Sequence, residues 1–84
     1  METMKIIIDD LELEGTPIQI LEGLRKSGWG IDMTIEDYFD FMCANYHRMT
    51  GVKFSATATT FEENCKKLFD ALSEINVLKY VNRE

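Results

Sequence analysis

Lys5-Ile6-Ile7-Ile8-Asp9-Asp10-Leu11-Glu12-Leu13-Glu14-Gly15 decides the fold, because it closes on itself as an antiparallel β-hairpin. A two-residue turn at Asp9-Asp10 sets Ile8 opposite Leu11 and Ile6 opposite Leu13 on one apolar face. The other face then carries Lys5 opposite Glu14 and Ile7 opposite Glu12. Asp-Asp lacks the glycine that two-residue turns favour, but Asp tolerates positive φ better than most residues. A slightly longer or bulged turn is the alternative.

Outward from the hairpin, three helix starts announce themselves by their caps. In Gly15-Thr16-Pro17-Ile18-Gln19, Thr16 takes the N-cap, Pro17 takes the first helical position where its missing N–H costs nothing, and Gln19 completes a capping box. This helix runs to about Lys26, lays Ile20, Leu21 and Leu24 on the hairpin, and stops at Ser27-Gly28. A linker over residues 28–33 leads to the second cap at Thr34, with Asp37 in the third helical position. Ile35, Tyr38, Phe39, Met42, Cys43, Tyr46 and Met49 recur at helical spacing, and Thr50-Gly51 ends the second helix. Thr60 caps the last helix with Glu63 as its box partner, and Phe61, Cys65, Leu68, Phe69, Leu72 and Ile75 form its apolar stripe. Glu62–Lys66 and Glu63–Lys67 are oriented as i,i+4 ion pairs, and Asn76 closes the helix.

Two segments can extend the hairpin to a three- or four-stranded sheet. Residues 52–59 alternate weakly, with Val52, Phe54, Ala56 and Ala58 on one side, which favours a strand over an extended connection. Residues 77–81 read as a short final strand. The expectation is one α+β domain spanning 1–84, an N-terminal hairpin packed against three α-helices.

With 45% hydrophobic residues and nine aromatics, the chain has material for a core. Its longest apolar run is the three isoleucines at 6–8, far short of a membrane span, and nothing has the pattern of a signal peptide. Cys43 and Cys65 have no framework spacing, so a cytoplasmic protein with reduced thiols is expected. The net charge of −6 is uneven: residues 1–46 hold ten acids against three bases, and residues 47–84 hold five against six. That balance disfavours direct binding to DNA or RNA; a basic protein surface is the complementary partner, and keeping a small domain soluble is the alternative reading of the acidity.

No constellation points to catalysis, a cofactor or a metal. Cys43 and His47 share a helix face with Asp40 one turn earlier, but zinc needs further ligands and Cys65 would have to approach from the last helix. A Cys-His nucleophile needs a lowered pKa and a group orienting the histidine, and mid-helix Cys43 has neither in view. Gly28-x-Gly30 follows a helix and lacks the later glycine of a dinucleotide loop. Trp29, between two glycines, either folds back on the core or contacts a partner or a second copy of the chain. Phe41 lies about 100° off the main stripe of the second helix. With Tyr38, Phe39 and Tyr46 it nearly encircles that helix, which suits packing on two surfaces, a homodimer contact among them.

The acidic strand leading into Gly15-Thr16-Pro17 and Ile20-Leu21 resembles small proteins of phages and mobile elements in Firmicutes. The starts Thr34-Ile35-Glu36-Asp37-Tyr38 and Thr60-Phe61-Glu62-Glu63 are similar in style. Such proteins include acidic, anti-CRISPR-like inhibitors of host defence nucleases, and the resemblance implies an acidic surface that occupies a basic nucleic-acid-binding site. The leading expectation is a non-enzymatic interaction domain. Glu12, Glu14, Asp37 and Asp40 would supply charge complementarity, with Trp29 and Phe41 as aromatic contacts. A second reading is an oligomeric sponge or sensor for a small ligand or nucleotide, in which Arg48, Lys53 and Arg83 converge. A Cys43/His47 enzyme is the third.

Overall fold

The computed structural model describes residues 3–81, and of Gly28 and Trp29 the backbone alone. Strand β1 (Met4–Ile8) and strand β2 (Leu11–Gly15) pair antiparallel in the register that the alternation dictates, Ile6 with Leu13 and Ile8 with Leu11. Asp9 and Asp10 both take positive φ, 48° and 67°, so the turn is a tight two-residue one. Its backbone twist matches that of the strands, which is why two aspartates accept the left-handed region. Ile6 and Ile8 are buried, whereas Leu11 and Leu13 stay half-buried because β2 lies at the edge of the sheet.

Helix α1 (Pro17–Leu24) begins with the expected capping box: Gln19 N–H donates to Thr16 Oγ1 at 3.3 Å, and Thr16 N–H donates to Gln19 Oε1 at 2.9 Å. It does not stop at Ser27. The backbone continues through a π-helical turn, Arg25–Trp29, closed by Gly30 N–H donating to the Arg25 carbonyl at 3.3 Å. Arg25 holds this turn against the next segment. Its guanidinium lies 2.8 Å from Glu22 and donates to the Met33 carbonyl at 3.0 Å.

Helix α2 (Ile35–Thr50) starts at Thr34, whose hydroxyl accepts from Asp37 N–H, and ends at Gly51 in the left-handed region, φ 74°. Helix α3 (Phe61–Glu74) starts at Thr60, whose hydroxyl accepts from Glu63 N–H and donates to the Glu63 carboxylate. Asn76 ends it in the left-handed region, with Asn76 N–H on Ser73 O and Val77 N–H on Leu72 O, a Schellman closure. Strand β3 (Lys79–Tyr80) then pairs antiparallel with β1, giving the order β2-β1-β3.

Residues 52–59 are not a strand. They join neither edge of the sheet, and of the alternating positions only Phe54 and Ala58 turn inward. Phe54 lies edge-on to Phe39 and to Tyr46, each at 6.2 Å between ring centroids, and Ala58 N–H donates to Asn64 Oδ1. The segment is an extended strap over α2, held by the Phe54 ring and by the Ala58–Asn64 hydrogen bond. The i,i+4 pairs expected on α3 do not form among the described residues. Glu62 instead reaches the start of α1 and accepts from Ile18 N–H at 2.6 Å, while Lys66 pairs with Asp70 at 3.6 Å. A helix N-terminus offers a carboxylate partial positive charge and a free N–H together, which outbids a solvated lysine.

The core is one cluster. Ile6, Ile20, Leu21, Leu68, Phe69 and Leu72 are sealed from solvent, with Leu78 closing it from the C-terminal side. The hairpin and β3 lie on one side of this layer and the three helices on the other. No helix among the described residues is long and apolar enough to cross a membrane.

Candidate functional site

Strand alternation sends Glu12 and Glu14 to the sheet face away from the helices, and both are exposed. Lys5 approaches Glu12 at 3.6 Å, an ion pair on the diagonal of the register. Asp37 and Asp40 are exposed on α2, which packs on α1 and α3. The four carboxylates therefore occupy two surfaces, one on the outer sheet face and one on a helix. The side chain of Trp29 falls outside the described set, and so does Arg83.

Phe41 stands elsewhere, in the wall of an open, mainly apolar cleft of about 620 Å³. The cleft lies where the hairpin tip, the end of α1, one side of α2 and the exit of α3 meet. Ile8, Asp9 and Leu11 come from the hairpin, and Leu24 and Ser27 from α1 and its π turn. Helix α2 contributes Tyr38, Phe41, Met42, Asn45, Arg48 and Met49, and Leu72 and Val77 close the far side. Ser27 reaches the lining from within the π turn. Its hydroxyl is engaged, donating to Leu24 O at 2.7 Å.

The polar groups of this cleft are few and distinct. Tyr38 is only 2% exposed, and burial raises its pKa above the usual phenol value. Its hydroxyl makes no hydrogen bond among the described residues. Since no polar side-chain atom there is sealed off without a partner, that hydroxyl opens to solvent. Arg48 and Asn45 line the same wall, also with no side-chain partner among the described residues. Lys53, beyond the end of α2, does not line it. Of the bases expected to converge in the nucleotide reading, Arg48 lines the cleft, Lys53 does not, and Arg83 lies outside the described residues.

The aromatics of α2 divide between two sides of the helix. Phe39 packs on Phe61 at 5.3 Å and on Phe54, filling the α3 side, while Tyr38 and Phe41, 6.1 Å apart, turn to the cleft. The cysteines follow the α3 side. Burial, and then the nearby Asp40, push the Cys43 thiol up to about 11. Burial, then Glu62 and Cys43, push Cys65 up to about 12. Both shifts run opposite to what a thiolate nucleophile requires. His47 and Asp40 are exposed, and among the described residues no three of His, Cys, Asp and Glu converge as metal ligands.

The cleft and the role of Arg25 are what sequence reasoning missed. The spacing Tyr38, Met42, Asn45, Met49 is visible in the sequence, but it does not reveal that the neighbouring elements leave that wall uncovered. Compared with known proteins, the chain matches no family model, no curated protein and no solved structure.

Proposed function

We propose that this chain is a non-enzymatic, acidic protein-interaction domain that engages a basic surface of a partner protein. The observation that carries the reading is the outer sheet face, where Glu12 and Glu14 stand exposed two residues apart on a strand whose opposite face is packed on helices. A rigid, two-sided strand of this kind presents carboxylates at fixed spacing, so association gains steering and specificity without ordering a loop. The −7 balance of residues 1–46 extends that potential beyond the pair. The resemblance to small phage and mobile-element proteins makes the partner a nucleic-acid-binding protein whose phosphate-contacting site the acidic face would occupy. Asp37 and Asp40 on α2 would serve the same encounter at longer range.

The experiment is capture of partners from cytosol on the immobilised chain, followed by binding kinetics of the wild type and the pair Glu12→Lys/Glu14→Lys. The expected result is a partner of basic surface whose association rate falls about tenfold on charge reversal and falls again with added salt. Binding unchanged by the reversal would remove the role assigned to the hairpin.

A further inference from the structure

From the cleft at the hairpin tip we infer a binding site for a medium-chain aliphatic monocarboxylate. The inference rests on the wall supplied by α2. Tyr38, Met42, Asn45 and Met49 recur at steps of three and four, with Arg48 beside them, so they form one strip along the helix. Ten residues separate Tyr38 from Arg48, about 15 Å of helix axis. An extended chain advances roughly 3.5 Å for every three bonds, so about a dozen chain atoms match that length. The volume of about 620 Å³ lies in the middle of the range for small-molecule sites, roughly 300–1,000 Å³.

The chemistry of the strip is that of an amphiphile's receptor. Phe41, Met42 and Met49 offer a ring and two thioethers, side chains that adapt to an aliphatic chain without a fixed shape. Arg48 ends the strip with a guanidinium that has no ion pair among the described residues, and its planar fork suits a carboxylate. Asn45, one turn earlier on the same side, adds an amide donor. Among the described residues, Arg48 is the single cation of the lining and Asp9 at the hairpin tip its single acid. One cation suits a head group of single negative charge and not a nucleotide, whose phosphates need several. A wholly uncharged ligand would leave the Arg48 and Asn45 donors to water.

Decanoate, titrated below its micellar concentration into the isotopically labelled full chain, tests this by chemical-shift mapping and calorimetry. Shifts should cluster at Phe41, Met42, Met49 and Val77, and decanol should bind at least about tenfold more weakly than decanoate, the loss expected for a charge-assisted hydrogen bond. Arg48→Gln, at an exposed position, should bring decanoate down to the affinity of decanol and leave decanol unchanged. Met49→Glu, at a position 54% exposed, should abolish decanoate binding by placing a second carboxylate in the strip. Glu12→Lys/Glu14→Lys should leave decanoate binding intact, which separates this site from the acidic sheet face. Equal affinity for acid and alcohol, indifference to Arg48→Gln, shifts spread over the outer sheet face, or no binding at millimolar ligand would each overturn the inference.

Discussion

Gly30 shows how a single missing atom shapes the cleft. It sits directly after the π turn with φ −134°, a backbone any residue can adopt, so its requirement is purely one of space. A Cβ there would lie 2.3 Å from Cδ1 and 2.8 Å from Cε1 of Tyr38. That ring cannot retreat easily, since it is 2% exposed and packs against Phe41. Gly30→Ala is therefore expected to destabilise the fold by about 1–3 kcal/mol, the usual cost of overpacking. Urea denaturation reads the change as a lower midpoint at unchanged slope. A substitution that leaves the midpoint in place would mean that Tyr38 is free to move and that the cleft wall is soft.

At the scale of elements, the contact between Glu62 and the start of α1 links the two ends of the chain. α1 and α3 are far apart in sequence, and the carboxylate of one satisfies a backbone N–H of the other, Ile18, at 2.6 Å. Such a bond combines a charge-assisted acceptor with the positive end of a helix. Glu62→Ala should cost about 1–2 kcal/mol in thermal or chemical unfolding, while Lys66→Ala should cost a few tenths at most. Equal losses from the two would restore the i,i+4 pair that spacing suggested.

The same contact marks the limit of what the sequence reveals. Local chemistry was legible: the hairpin register, the three threonine caps and the Asn76 closure all follow from neighbours within a few residues. Long-range competition was not. Nothing local says that Glu62 prefers a helix end forty-four residues away to Lys66 one turn away. Nor does anything local say that residues 52–59 pack on α2 through Phe54 instead of joining the sheet. The π turn was hidden for a related reason. Ser27-Gly28 carries a stop signal that Arg25 overrides by tying Glu22 and Met33 together.

Over the whole molecule, three groups besides Tyr38 have raised pKa values, and they lie on three different elements, so their titration reports on more than one site. Cys43 on α2 is pushed from 9.0 to about 11 and Cys65 on α3 from 9.0 to about 12, in each case mainly by burial. Tyr80 on β3 is raised by burial and by the hydrogen bond its hydroxyl donates to Asp70, the Asp70 charge adding to both. For all three, folding favours the protonated form. The unfolded chain therefore loses these protons first as pH rises, and each loss favours unfolding. Stability contributed by the three is complete below about pH 9, the thiols' unfolded value, and drains away as pH climbs through the folded values. Urea midpoints should accordingly show no contribution from these groups between pH 7 and 9 and fall steadily from 9 to 12. Cys43→Ala should make the decline between 9 and 11 shallower, Cys65 carrying what remains of it. A wild-type midpoint that holds constant through pH 11 would show that water reaches the thiols freely, and that α2 and α3 do not close on each other as tightly as the Phe39–Phe61 contact implies.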